Sequence, residues 1–453
     1  MSTRQPFSYI LCALILLLGG VLGRMVVAQI PPSGAPAVPT PYMAPSTSDV
    51  LAGTAPLRLL VSSRHTMLAW KGEAAVRVVS VQGGETLYTA EPGEMVGIVY
   101  DQTGAVSLRQ DGKNFRPVPA SVRLASEKPV KVWTPSPDSW QSLDAPVVIV
   151  PVSGSFSVTR EILLDDYLRN VVPGEMPNSF HRQALLAQAI IARTYALIKL
   201  GRHAGEGADV CATVHCQVYG SQRTKETDKA ISDTRGLVLM AGEKLAEPYY
   251  SACCGGVTDD AGLLWGPEYD RPYLQGVPDM PSKNVPGQLT IDSVLDADDA
   301  YCQGTRASRW TREFTAGEVN ALVAKNLPIV ANDSAAQIRT VTNMSVEERT
   351  PNGRIASLRV EGNGASILVY GDAVRWLFGN GKPGANGLWS TLFDMTVTRD
   401  AAGAITGYTF SGAGRGHGIG LCQWGAQGRA KAGQTCRQIL RAYYPGTRLS
   451  DEK

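Results

Sequence analysis

Charge is what this 453-residue chain has little of: Asp, Glu, Lys and Arg make up 19% of it, and the formal net charge is only +2. No segment concentrates Lys and Arg, so the basic face that nucleic acid demands is missing and no nucleic-acid partner is expected. No glycine-rich loop ends in GK[ST] between a strand and a helix, which leaves nucleotide binding without support. No Gly-x-Ser-x-Gly elbow occurs, which does the same for a serine hydrolase. Internal repeats and coiled-coil heptads are also missing.

What is present starts with an export signature. Arg4 precedes an apolar run from Phe7 to Leu22, and Val26-Val27-Ala28 offers small residues for cleavage before Gln29. Residues 1–28 are therefore predicted to be a signal peptide, with the rest exported to the periplasm or cell envelope. The run nears the lower limit for a membrane span, so an uncleaved anchor is the alternative, and with it membrane association. Residues 29–52, rich in Pro, Ala and Ser, are predicted to be an extended linker. Residues 53–155 read as a β-rich N-terminal region: Leu57–Val61, Ala75–Val81, Val96–Tyr100, Val130–Val132 and Val147–Val152 alternate with Gly, Asp and Pro turns. His65 there carries no chemistry. The length suits two or three domains with full cores.

The most informative stretch is Leu164–Leu197, LDDYLRNVVPGEMPNSFHRQALLAQAIIARTYAL. Glu175 lies between Pro173 and Pro177, which predicts a rigid turn, and a helix capped by Asn178 or Ser179 should follow. Gln183 to Ala192 holds no charge, so that helix is predicted to be buried nearly all round. A partly desolvated carboxyl at its mouth would have a raised pKa, suited to donating a proton. Arg193 interrupts the apolar helix and requires a carboxylate or a substrate oxygen as partner. Gln188 and Tyr195, seven apart, share a helix face directed away from Arg193. Asp165 and Asp166 read as helix caps.

Next, His203, Cys211, His215 and Cys216 form a compact soft-donor cluster of the kind that suits tetrahedral zinc. Adjacent residues point apart on most backbones, so His215 and Cys216 are not expected to ligate together. A Cys211–Cys216 disulfide is the alternative that an oxidising compartment permits. Further on, Thr315 and Glu318 predict a capping box opening a helix over Ala316–Leu327. Strands are expected at Ile338–Val346, Ile355–Val360, Ala365–Tyr370 and Phe393–Val397 around a hairpin-like Pro351-Asn352-Gly353. At Gly412–Gly420, glycines at alternate positions let backbone approach closely and leave His417 open to a ligand. Trp424, after Gln423, offers a flat face for sugar stacking or a core residue. A short helix is expected over Ile439–Tyr444.

Three blocks in order, Tyr167–Leu197, Tyr249–Tyr273 (YYSACCGGVTDDAGLLWGPEYDRPY) and Gly414–Tyr444 (GRGHGIGLCQWGAQGRAKAGQTCRQILRAYY), resemble the SpoIID/LytB family, the stage II sporulation protein D group. The resemblance implies an α+β fold, with β-rich domains flanking a central buried helix and a substrate groove between domains. It assigns 156–449 to the catalytic region, with a β-rich scaffold at about 290–410. The implied activity is that of a lytic transglycosylase, which cuts the β-1,4 bond between N-acetylmuramic acid and N-acetylglucosamine in peptidoglycan, preferring glycan strands stripped of peptides. Glu175 would be the single acid, then base. Gln188, Arg193, Tyr195, Tyr250, Gly255, Gly256, His417 and Gln423 would bind substrate. The family's His and two Cys ligands map onto His203, Cys211 and Cys216, implying a structural zinc. It further implies a Cys254–Cys302 bridge, with Cys422–Cys436 a weaker candidate and Cys253 left over. The chain departs from the usual pattern at His181, where Trp is common, at Gln183, where Glu is common, and at Cys422, where Ser is frequent. The LytB name suggests the competing role, a non-catalytic wall-binding module or modifier of a cell-wall amidase partner.

Overall fold

The computed structural model describes residues 42–100, 104–118, 120–144, 146–220, 222–281, 290–379 and 387–452. The predicted signal peptide and the first part of the predicted linker, 29–41, lie outside them. No helix among the described residues is long and apolar enough to cross a membrane. The fold is α+β and strand-rich.

Most of the first hundred described residues form two sheets around one core. In spatial order the first sheet runs Val210–Cys211, Leu57–His65, Ser155–Ile162, Val147–Val152, Val122–Ala125, Val76–Ser80, Thr86–Ala90. The second runs Asp138–Leu143, Val130–Pro135, Met67–Gly72, Val96–Tyr100, Val106–Gln110, Lys113–Pro117. Alternate side chains turn inward, as the period of two requires, so Val76, Val78, Leu124 and Ile149 of one sheet meet Leu68, Trp70, Ile98 and Val132 of the other. Two strands match their predicted bounds, Val96–Tyr100 and Val147–Val152.

The first sheet continues into a helical core. Leu57 and Leu59 pack with Tyr167, Leu168 and Val171 of α1 (Leu164–Glu175) and with Ala189, Ala192 and Ala196 of α2 (Arg182–Ile198). Every residue of α2 from Ala184 to Leu197 is buried, as its lack of charge predicts. Its cap is neither Asn178 nor Ser179. Those residues belong to a turn closed by Phe180 N–H on the Pro177 carbonyl, and His181 instead accepts the Gln183 N–H through its ring, 3.2 Å away. The second half of the predicted linker is also not extended. Residues Thr47–Ala52 form a helix capped by Ser46, because Val50 finds burial against the same core.

Beyond α3 (Lys225–Asp233), the described residues between 310 and 412 build a further core on α4 (Ala316–Val330). The Thr315/Glu318 capping box forms as predicted. Against α4 lie the sheet Trp310–Thr315, Ile405–Gly412, Phe393–Arg399 and the sheet Asn343–Arg349, Ile355–Gly362, Ala365–Tyr370. The strand expected from Ile338 begins only at Asn343. The C-terminal helices α5 (Gln423–Lys431) and α6 (Cys436–Tyr443) pack on α2. The last starts three residues before its predicted onset, because Thr435 and Gln438 form a capping box.

Asp209 joins the sheet to the helices: its buried carboxylate accepts the Arg58 N–H at 2.8 Å, the Gly201 N–H at 3.0 Å and the Tyr42 hydroxyl at 2.7 Å. Asp209→Ala would leave two partly buried N–H groups without this partner, so urea unfolding should show a loss of about 1–3 kcal/mol. A loss under about 0.5 kcal/mol would mean that water replaces the carboxylate at no cost.

Candidate active site

Glu175 is not in a turn, as its flanking prolines suggest, but is the last residue of α1, with Pro173 inside the final turn. Pro173 has no N–H to offer the preceding turn, and Met176, the residue before Pro177, leaves the helix with extended backbone. A carboxylate at a helix C-terminus faces the negative end of the dipole, which favours the neutral acid. Burial acts more strongly in the same direction and raises the Glu175 pKa, while hydrogen bonds from Val218, Tyr250 and Gln423 pull it back.

Those three partners come from distant segments. The Val218 N–H donates to Glu175 Oε1 at 2.7 Å and the Tyr250 hydroxyl donates to the same oxygen at 3.0 Å. The Gln423 carboxamide lies close enough to the carboxyl to lower its pKa slightly, and its Nε2 donates to Gln188 Oε1 at 3.3 Å. Behind Tyr250, Gln217 Nε2 donates to the phenol oxygen at 3.0 Å, and Tyr167 donates to Gln217 Oε1 at 3.2 Å. Gly174 makes this possible, since a Cβ there would stand 2.7 Å from the Val218 carbonyl. Tyr167, Gln217 and Val218 escaped the sequence reading. Val218 acts through a backbone N–H, which no side chain advertises, and the other two look like ordinary core residues.

His417 adjoins this network through the backbone. Its Nδ1 accepts the Ile419 N–H at 3.0 Å, and its ring lies against the Tyr250 backbone. Burial lowers its pKa to about 4, partly opposed by Asp372. The ring lies 5.0 Å from Trp265 and 6.5 Å from Tyr249, centroid to centroid. Tyr195 joins these aromatics, 6.5 Å from Tyr249, and accepts a bond from Arg202. Trp424 packs edge-on against Phe180 and lies against the core.

Other predicted substrate residues are occupied by structure. Arg193 is fully buried and donates to Asp165, Thr234 and the Ile231 and Leu237 carbonyls, so its predicted substrate contact is corrected to a structural one. Asp165 accordingly serves Arg193 and Arg235 rather than capping α1, whose N-cap Leu163 makes no side-chain bond. Gly255 and Gly256 have φ of 85° and 116°, and a Cβ on Gly255 would stand 2.8 Å from that of Ala413, so close backbone packing accounts for Gly255. Gln188 is buried beside Gln423, with Nε2 unpartnered among the described residues. A cavity of about 350 Å³ beside Tyr42, Arg58 and Gly207 shares no lining residue with the Glu175 network.

The loop that delivers Val218 carries the soft-donor cluster. His203, Cys211, His215 and Cys216 place one donor atom each within 4.8 Å of all the others. His203 Nε2 lies 3.2 Å from His215 Nδ1 and 3.5 Å from Cys216 Sγ; His215 Nδ1 lies 3.8 Å from Cys211 Sγ and 3.9 Å from Cys216 Sγ. Tetrahedral zinc, with bonds of about 2.0 Å to nitrogen and 2.3 Å to sulfur, requires donor separations of roughly 3.3–3.8 Å, so the residues fit the ion. His215 joins the set against expectation, because the 214–216 turn brings neighbouring side chains to one point. The thiols are unbridged, and the Cys216 bond holds Cys211 as the more acidic of the two. The other predicted bridges do not form either. Cys254 and Cys302 have sulfurs 3.8 Å apart. Cys422 caps α5 next to Cys254, whereas Cys436 opens α6 beside Gln183.

Residues 152–240 match the family model described as stage II sporulation protein, SpoIID, and residues 262–420 match a domain of unknown function. An amidase enhancer of Bacillus subtilis (strain 168) is 32% identical over 305 residues, 62% of this chain and 40% of that protein. The chain thus spans less than half of that relative. Stage II sporulation protein D of the same organism is 26% identical over 351 residues, 73% of this chain and 88% of that protein. An uncharacterized protein of Brachyspira hyodysenteriae is 27% identical over 308 residues, 67% of this chain and 71% of that protein.

A raised Glu175 pKa has a thermodynamic signature. The group's contribution to stability is complete below the ordinary value of 4.5 and is lost as pH rises through the folded value. Glu175→Gln removes that loss, so thermal unfolding of the variant should gain on the wild type as pH rises from acid to neutral. A variant that instead falls behind with rising pH would show that the carboxyl is stabilised as the anion.

Proposed function

From the membership of this chain in the SpoIID family we infer that it is a lytic transglycosylase of the bacterial cell wall, acting on glycan strands outside the cytoplasm. The observation that carries this reading is Glu175: one desolvated carboxyl whose partners are an amide N–H, a phenol and a carboxamide. Hydrolytic glycosidases generally need two carboxylates, one to activate water or attack carbon. A transglycosylase can manage with one.

The protonated Glu175 donates to the glycosidic oxygen, and the bond from that oxygen to the muramic C1 breaks. The muramic C6 hydroxyl then closes on C1 and gives its proton to the Glu175 carboxylate, which restores the acid. The product carries a 1,6-anhydro end and no water is consumed. The Val218, Tyr250 and Gln423 donors stabilise the carboxylate between the two steps, since each strengthens as charge appears. A raised pKa keeps the acid protonated at the start, which sets the opposing demand.

Zinc held by His203, Cys211, His215 and Cys216 would cross-link the loop that ends in Gln217 and Val218. These residues thereby position the N–H on Glu175 without contacting substrate.

A second reading rests on the amidase enhancer likeness: the chain would bind wall glycan and modify an amidase without cutting strands itself. The two readings part on one measurement. Denuded glycan incubated with the protein alone should yield 1,6-anhydromuramic ends by mass spectrometry, and Glu175→Gln should lower that rate at least about a hundredfold. No such ends from folded wild-type protein would leave the amidase-modifier role.

Elemental analysis should find metal at the His203 cluster, and Cys211→Ser/Cys216→Ser should lose about one zinc per chain. A mapped Cys211–Cys216 disulfide would remove the ion from this site.

A further inference from the structure

A second group of soft donors lies within the core that joins α2 to the C-terminal helices. Cys254, Asp279, Cys302 and Cys422 are each wholly buried, and their donor atoms all lie within 4.8 Å of one another. We propose that these four side chains form a second metal site, for a thiophilic divalent cation such as zinc, distinct from the His203 cluster.

Separations favour one ion. Cys254 Sγ is 3.8 Å from Cys302 Sγ and 3.2 Å from Asp279 Oδ2. A tetrahedron with about 2.3 Å to sulfur and 2.0 Å to oxygen has edges of roughly 3.8 Å and 3.5 Å. An iron–sulfur cluster would spread its cysteines more widely.

The surroundings match those of metal-bound thiolates. Cys422 Sγ accepts the Cys254 and Gly425 N–H groups, both at 3.1 Å, the second as the cap of α5. Asp279 Oδ1 is taken by Arg429 at 2.9 Å and the Tyr443 hydroxyl at 2.7 Å, which fixes the carboxylate with Oδ2 toward the sulfurs. Such outer partners orient ligands and stabilise their anionic forms. The cation and the Arg429 guanidinium together offset charge that burial would otherwise oppose. Each thiol releases its proton to solvent as the ion enters.

The consequence reaches Glu175. Cys422 precedes Gln423, and the strand Leu421–Cys422 pairs in parallel with Tyr250–Ser251, four residues before Cys254. One ion would therefore clamp together the two segments that bring Tyr250 and Gln423 to the carboxyl.

Full-length exported protein, purified without reductant or added metal, should carry about two zinc ions per chain by native mass spectrometry. Cys302→Ser should carry about one, and so should Cys211→Ser/Cys216→Ser. Where Cys302→Ser does not fold, the Cys211→Ser/Cys216→Ser variant reloaded with cobalt decides, because its thiolate charge-transfer band can arise only from the buried site. A wild type with about one zinc, all of it lost in Cys211→Ser/Cys216→Ser, would overturn the proposal. So would a disulfide among Cys254, Cys302 and Cys422 mapped by peptide mass spectrometry, or a cobalt spectrum with no thiolate band.

Discussion

The structure is organised around keeping one carboxylic acid out of water without leaving it unsatisfied. Glu175 ends α1 where burial and the helix dipole both oppose ionisation. Yet Val218, Tyr250 and Gln423 all offer donors that favour it. A group balanced in this way can hold a proton and also release it. Neither a solvated glutamate nor one buried without donors could do both.

Such balance requires precision from segments far apart in the chain. The donors on Glu175 lie 43 and 75 residues downstream for Val218 and Tyr250, and Gln423 approaches from the C-terminal helices. The fold answers by attaching each to something rigid. Val218 follows the four-donor turn, whose Cys211 sits on an edge strand paired with Leu57–His65. Tyr250 and Gln423 belong to or adjoin two paired strands that run into the buried cysteine group. Arg193, fully bonded inside the helical core, holds α2 to the turn after α3 and to Asp165 of α1. Its value lies in that anchoring, although its isolation in an apolar helix also suits a substrate contact.

Much of this was legible in local pattern. Uncharged α2, the Thr315 capping box and strands such as Val96–Tyr100 follow from periodicity and capping chemistry, which act over a few residues. The misreadings share a cause. Asn178 and Ser179 have the right chemistry to cap α2, but the chain needs them for the turn around Phe180, and His181 takes their place. Neighbouring side chains usually diverge, but the turn at 214–216 makes His215 converge with Cys216.

The sequence by itself determined the α+β composition, the burial of the central helix, the single Glu just ahead of that helix and the presence of His and Cys donors after it. Each is a property of residue type at short spacing. Only tertiary structure decided that Glu175 meets a backbone N–H of residue 218, that Arg193 is an internal strut, and that Cys254, Cys302 and Cys422 share one point with Asp279. Those pairings depend on loop closures across tens to hundreds of residues. They are selected by the packing of whole cores, which no local spacing encodes.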